Sequence, residues 1–341
     1  MFIIFSVFFS VFFSVLLLAI GVFIFLSPGK PRPFVNKDGS VLEGSISEKI
    51  FVTINGTSQG MFIQSIDSTK PVLLYLHGGI PDYFLTKKYP TGLETIFTVV
   101  WWDQRGAGIS FDAHTPLESI SLQQLISDTK EVTNYLRKRF GQEKIYLMGR
   151  SGGSFIGMHV AAQAPELYHA YIGAGQMSGQ LESEKSAYMF MVEQYKELDD
   201  KQMLRSLLST PFACTNSVPE AYLSVRDEAM HRIGIGTTRS MRSIITGIFL
   251  PSLTCRDYTV AEKINLWRAK ARAGVHPLWK TILATDLATQ VPELKIPVYF
   301  FHGIYDYTVS YPLAKEYFRK LKAPFFFNHI DIPMYFFAII Y

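Results

Sequence analysis

The sequence predicts an α/β fold built on a mostly parallel sheet flanked by helices, and three observations carry that reading. Four short apolar runs, Pro71–Leu76, Phe97–Trp102, Ile145–Met148 and Pro297–Phe301, are apolar on both faces, as strands covered on both sides must be. Each ends in a glycine-bearing turn. Segments with helical spacing lie between them, and strand–helix alternation with glycine-rich turns at strand ends is the pattern of a doubly wound sheet.

The elements follow in chain order. Residues Phe2 to Leu26 carry no charge and only three serines as polar side chains. A helix of that length reaches across a hydrocarbon core of ~30 Å. No Lys or Arg precedes the run, the run exceeds a secretory h-region, and Leu26-Ser27-Pro28-Gly29 is a poor cleavage site. A membrane anchor is therefore expected over residues 1–34, contacting a lipid bilayer through residues 2–26. Pro28, Pro31 and Pro33 make a stiff exit. Lys30, Arg32 and Lys37 follow the helix, and the positive-inside bias favours the cytoplasmic side for the rest of the chain. Lys49 to Ser65 reads as two strands around the Asn55-Gly56 turn. Ser121 with Gln124 predicts a capping box opening a helix that runs to about Phe140. Phe155 to Ala164 predicts a small-residue helix stopped by Pro165. From 179 to 288 the rhythm breaks into a long helical stretch, expected to cap the sheet's C-terminal edge. The expected division is thus 1–34 anchor, 35–178 core, 179–288 cap and 289–341 the rest of the core.

Bulk properties exclude more than they assign. A net charge of +4 over 341 residues gives no basis for nucleic-acid binding. Cys214 and Cys255 are too few for a disulfide framework or a metal site and read as two separate thiols.

The chemistry gathers at the strand ends. Gly149-Arg150-Ser151-Gly152-Gly153, after a strand and before a helix, has the G-x-S-x-G pattern of a nucleophile elbow. Residues two either side of Ser151 must be nearly free of side chain for so sharp a turn. An oxyanion hole needs two amides aimed at one developing charge. The N–H of Gly152 and one from Gly79 or Ile80, in the turn after His77-Gly78, are the candidates. Asp306, after the fourth strand, is the candidate for the acid that orients a general base. The base is the gap: of eight histidines only His329 follows Asp306.

Leu76-His77-Gly78-Gly79, Trp102-Asp103-Gln104-Arg105-Gly106-Ala107-Gly108 and the elbow together resemble the prolyl aminopeptidase (proline iminopeptidase) branch of the α/β-hydrolases, from about Lys49 to Pro324. The resemblance implies an eight-stranded core with a helical lid, a Ser/Asp/His triad and no metal or organic cofactor. It assigns Ser151 as nucleophile and Asp306 as triad acid. Where relatives often continue His-Gly-Gly with Pro-Gly, this chain reads Ile80-Pro81-Asp82. Relatives hold a substrate's free amine with acidic lid residues; the candidates here are Glu182, Glu184, Glu193 and Glu197. After Pro324 the family pattern of strand, histidine-bearing turn and final helix is replaced by an aromatic and aliphatic run, so a truncated or frameshifted terminus is expected, with His329 standing in for the base. Two functions follow. One is a membrane-anchored serine hydrolase cleaving a small peptide, amide or ester through an acyl-enzyme. The other is a catalytically impaired hydrolase-fold protein. An epoxide hydrolase or dehalogenase needs an aspartate where Ser151 stands.

Overall fold

A computed structural model describes residues 2–212, 217–236, 238, 241–273, 277–324 and 330–332. Its centre is one eight-stranded sheet: β1 (Ile46–Ile54), β2 (Thr57–Ser65), β3 (Val72–Leu76), β4 (Thr98–Trp102), β5 (Ile145–Ser151), β6 (Tyr168–Gln176), β7 (Val298–Gly303) and β8 (Ile330–Ile332). The spatial order is β1-β2-β4-β3-β5-β6-β7-β8. The pairs β1–β2 and β2–β4 are antiparallel, and every later pair is parallel. Asn55 and Gly56 both have positive φ, 44° and 76°, so a two-residue turn pairs Ile54 with Thr57 as the Asn-Gly signal predicts.

The sheet is buried on both faces, which explains why its central strands read as unbroken apolar runs. Val72, Leu74 and Leu76 pack with Leu125 and Val132 on one side. Leu73 and Tyr75 pack with Phe84, Trp101 and Tyr258 on the other. Helix α2 (Leu122–Phe140) starts at Ser121, whose side chain accepts from the Gln124 N–H, and ends at Gly141 in the left-handed region. The predicted capping box is only half formed. The Gln124 side-chain amide donates to the buried Asp128 carboxylate at 2.8 Å, and no return bond from the Ser121 N–H to the Gln124 side-chain oxygen is formed. Helix α3 (Gly152–Gln163) follows β5 directly.

Between β6 and β7 the chain leaves the sheet, and the described residues there form seven helices: α4 (Gln180–Glu197), α5 (Lys201–Leu208), α6 (Glu220–Arg232), α7 (Leu250–Thr254), α8 (Val260–Arg272), α9 (Pro277–Ala284) and α10 (Leu287–Gln290). A π-helical turn, Ile245–Phe249, runs into α7. This insert has a small core of its own, with Met191, Tyr195, Leu207, Phe212 and Tyr222 at its centre. Helix α11 (Tyr311–Lys320) then returns the chain along the sheet.

At the N-terminus, α1 (Phe2–Phe25) is one uninterrupted helix. Its window Phe8–Phe25 has a mean hydropathy of 2.8, and none of that window is buried against the rest of the molecule. By length and composition it can cross a membrane.

Candidate active site

The turn from β5 to α3 is a steric requirement written into sequence. Ser151 has φ 51° and ψ −123°, a conformation that L residues rarely adopt. A Cβ on Gly149 would lie 2.5 Å from the Gly153 carbonyl oxygen. One on Gly153 would lie 2.1 Å from the Leu76 carbonyl oxygen and 2.5 Å from that of His77. None of these neighbours can yield, because each is backbone of the elbow or of the central sheet's edge. Ser154 buttresses the turn: its hydroxyl donates to the Ser151 carbonyl at 2.6 Å and accepts from the Met177 N–H at 2.9 Å.

The loop after β3 crosses directly over this turn. A Cβ on Gly78 would sit 2.9 Å from Ser151 Cβ and 3.3 Å from its Oγ, so only glycine leaves room for the serine. His77 anchors the loop. Its Nε2 accepts from the Gln104 N–H at 3.1 Å, which makes Nδ1 the protonated nitrogen that donates to the Gly78 carbonyl at 2.7 Å. Burial holds the ring neutral, with its pKa lowered to about 4. The N–H groups of Gly79, Ile80 and Gly152 donate to no acceptor among the described residues, and Gly152 is the first residue of α3, at the positive end of its dipole.

The departure from the family loop pattern has a partner. Asp82 is buried and pairs with Arg150, the residue before the serine, while its Oδ2 also accepts from the Tyr75 hydroxyl at 2.9 Å. This ion pair ties the loop to the elbow. The Asp103–Gly108 motif acts at longer range. Arg105 grips Asp128 of α2 through Nε at 2.6 Å and Nη2 at 2.9 Å, with Asn55, Gln59 and Gln124 donating to the same carboxylate. It joins the end of β4 to the hairpin and to α2. Neither pairing has a local sequence signal, since the partners stand 68 and 23 residues apart.

Asp306 lies in the turn after β7. Its Oδ1 accepts the N–H groups of Thr308 at 2.9 Å and Val309 at 3.0 Å. Burial raises its pKa, against the opposing pull of His302 and those two amides. The turn is held from the insert: Gln180 of α4 donates to the Thr308 carbonyl at 3.0 Å and Ser183 accepts from the Ser310 N–H at 3.2 Å. His302 is 3.7 Å from Asp306 Oδ2 and turns its Nε2 to the Val309 carbonyl at 3.0 Å, a structural contact.

Ser151, Asp306 and Ile80 line one cleft of about 160 Å³ between the C-terminal ends of the strands and the insert. The insert contributes Arg226, Asp227, His231 and Lys270, together with the apolar Ile248 and Trp267. None of these was singled out by sequence reasoning, because side chains converging from separate helices leave no motif. Burial lowers the pKa of both Lys270 and His231. Lys270 Nζ stands 3.7 Å from where a Gly79 Cβ would be and has no ion-pair partner among the described residues. Of the four acidic lid candidates, Glu184 is buried and held by both Arg226 Nε and Nη2. Glu182 pairs with Lys185 and Glu197 with Gln194, and none of the four lines the cleft. His329 lies outside the described residues, as does Cys214. Cys255 is buried and free, its thiol pushed up to about 11 by burial. Among the described residues no group of three or more His, Cys, Asp or Glu side chains is placed to hold a metal ion.

A protein of Bacillus subtilis (strain 168), named "Probable aminopeptidase YbaC", is 30% identical over 275 residues, spanning 80% of this chain and 85% of that one. The chain belongs to the aminopeptidase-like α/β-hydrolases. The family model described as serine aminopeptidase, S33, matches residues 68–210 of this hydrolase, from just before β3, through the elbow, to just past α5. Among solved structures, a proline iminopeptidase-related protein from Thermus thermophilus superposes with a TM-score of 0.54 at 20% identity, over 86% of this chain and 93% of that one. The proline iminopeptidase of Mycobacterium smegmatis gives a TM-score of 0.54 at 15% identity, over 81% and 89%. At these identities the two structures are evidence of shared fold.

Proposed function

We propose that this α/β-hydrolase is a serine hydrolase that cleaves a small peptide, amide or ester, held at a membrane by α1. The observation that carries the reading is the placement of a strained Ser151 and a buried Asp306 on one cleft, with amides at Gly79, Ile80 and Gly152 beside the serine that have no acceptor among the described residues. In this reading Ser151 Oγ attacks the substrate carbonyl carbon while a base takes its proton. The carbonyl π pair moves onto oxygen, and the amides of Gly152 and of Gly79 or Ile80 receive that charge. The pair returns, the leaving group departs with the proton from the base, and an acyl-Ser151 ester remains. Water then attacks the ester by the same route, with the base again accepting and returning a proton. Asp306 orients and stabilises the protonated base, and His329 is assigned as that base. Glu184, neutralised by Arg226, is unavailable to hold a substrate amine, which supports a broader ester or amide specificity than that of a strict prolyl aminopeptidase.

The second reading, an impaired triad, draws on Asp306 itself. Its Oδ2 faces His302, whose Nε2 is committed to the Val309 carbonyl. A fluorophosphonate probe separates the two, since only an activated serine is labelled. Labelling of the full-length chain that is lost in S151A and in H329A supports the first reading, and absence of labelling supports the second.

The anchor is supported by the 24 residues of α1, about 36 Å of helix against a hydrocarbon core of ~30 Å. Lys30, Arg32 and Lys37 favour the cytoplasmic side. Retention of the full-length chain in membranes through alkaline carbonate washing is expected, and release into the supernatant would refute the anchor.

A further inference from the structure

The end of α1 is built into the insert. Lys263 of α8 donates to the Leu26 carbonyl at 2.7 Å, to Ser27 Oγ at 2.9 Å and to the Leu253 carbonyl at 2.6 Å. One ammonium thus satisfies a carbonyl at the end of α1 and fastens it to the end of α7. Pro28 bridges to Thr259, the Gly29 N–H donates to the Arg256 carbonyl at 3.1 Å, and the Arg256 guanidinium lies 4.7 Å over the Phe25 ring. The α7–α8 junction is therefore fixed at the level where the apolar helix stops.

A cavity of about 540 Å³ opens beside this junction. Arg32, Lys87, Lys88 and Arg256 stand on its wall. The acid there, Asp257, is already taken, by the Tyr83 hydroxyl at 2.7 Å and by Lys87 at 3.1 Å. Arg32, Lys88 and Arg256 have no acidic partner among the described residues. Three cations around one cavity, beyond the one that Asp257 neutralises and without a further acid among the described residues, call for an anion. The same wall carries Leu250, which is 47% exposed, and the neighbouring Ile245 is 58% exposed. Apolar side chains beside cations at the end of an apolar helix match an interface, where headgroup and acyl chain meet. A freely dissolved phosphate would leave Ile245 and Leu250 facing water.

We infer that this cavity seats the anionic headgroup of a phospholipid in the leaflet where α1 ends, with Ile245 and Leu250 immersed in the interfacial layer. The inference rests on the membrane anchor and goes beyond it, because a spanning helix alone requires no headgroup site. It also places the segment 244–254 as a partition. One side lines the lipid seat through Thr246, Leu250 and Thr254, while Ile244 and Ile248 line the cleft that holds Ser151. A lipid in the seat thereby braces one wall of the catalytic cleft.

The test uses the full-length chain in nanodiscs of phosphatidylcholine alone or with a minority of phosphatidylglycerol. The readouts are native mass spectrometry of retained lipid and hydrogen exchange over 244–254. Each near-surface cation strengthens attraction to an anionic leaflet about fivefold, so three give a preference on the order of 100-fold. Selective retention of phosphatidylglycerol and at least about tenfold slower exchange over 244–254 are expected. The triple variant R32Q/K88Q/R256Q loses both, while exchange in β3 to β6 stays unchanged as the control for folding. Should the triple variant unfold, K88Q alone is expected to lose about fivefold in retention. Equal behaviour in the two lipid compositions overturns the inference, as does undiminished retention by a folded variant. Reproduction of the slowed exchange by millimolar glycerol phosphate in phosphatidylcholine discs also overturns it, in favour of a soluble anion. A chain extracted by carbonate refutes the anchor. A chain firmly integrated yet indifferent to phosphatidylglycerol refutes the lipid seat alone.

Discussion

The floor and the roof of the cleft at Ser151 are made by different physics. The floor is backbone: Gly78, Gly149 and Gly153 sit where any added carbon would enter another main-chain or serine atom, and Ser151 is fixed in a conformation set by those approaches. The roof is side chain: Arg226 on Glu184, Asp227 on Arg226 and Lys270 over the Gly78–Gly79 loop, each reaching in from a helix of the insert. A floor of this kind admits few sequences and imposes a rigid site. A roof of this kind can exchange its pairs without disturbing the sheet, which suits a surface that sets substrate choice. Substitutions in the two layers should therefore differ in size and in kind.

The greatest loss is expected at Asp306, whose turn is held from the insert through Gln180 and Ser183. If Asp306 orients the base, D306N lowers kcat about 10⁴-fold with the fold retained, as the wrong tautomer of the base is then favoured. Steady-state hydrolysis of a p-nitrophenyl ester checks this, and a loss under tenfold would remove Asp306 from the mechanism. Next comes the roof's buried pair. R226A leaves the Glu184 carboxylate buried and uncompensated, at about 3–5 kcal/mol in urea unfolding. A value under about 1 kcal/mol would mean that the insert relaxes freely around Glu184.

The floor carries a pH dependence. His77 is neutral in the fold, with its pKa lowered to about 4, whereas in the unfolded chain it titrates near 6.5. The unfolded state therefore binds the extra proton first as pH falls. The stability contributed by neutral His77 is complete above about pH 6.5 and drains away towards pH 4, by about 3 kcal/mol in all. Gln at position 77 keeps an acceptor near the Gln104 N–H and removes the titration, so the unfolding midpoint of H77Q should fall less steeply over that window. Equal slopes would show that His77 is not the source. The mildest effect belongs to the exposed part of the roof: Asp227 is 54% exposed, and D227N should change stability by less than about 1 kcal/mol in the same urea unfolding.

The same division governed how much could be read from sequence. Requirements for specific residue types at fixed spacing were legible: the glycines around Ser151, the Asn55-Gly56 turn and the apolar runs buried on both faces. Asp306 was legible as an acid at a strand end, and the structure puts it on the cleft with Ser151. Pairings between distant residues were not. Asp82 looked like a departure from a motif, whereas Arg150 makes it a latch. Arg105 looked like part of a turn motif, whereas its partner Asp128 stands on α2. Gln124 meets the local capping rule only through its backbone N–H, while its side-chain amide donates to the Asp128 carboxylate one turn away. Local rules hold where backbone geometry decides and yield where a buried charge is within reach.

Whether the β5–α3 turn presents Ser151 as an activated nucleophile decides whether this hydrolase fold is a working enzyme. Fluorophosphonate labelling of the purified full-length chain in mild detergent reads this out, with the modified peptide identified by mass spectrometry. A single adduct on Ser151 is expected, abolished in S151A and strongly slowed in D306N. A folded chain that leaves Ser151 unlabelled, or one labelled at the same rate in D306N, would overturn the serine mechanism.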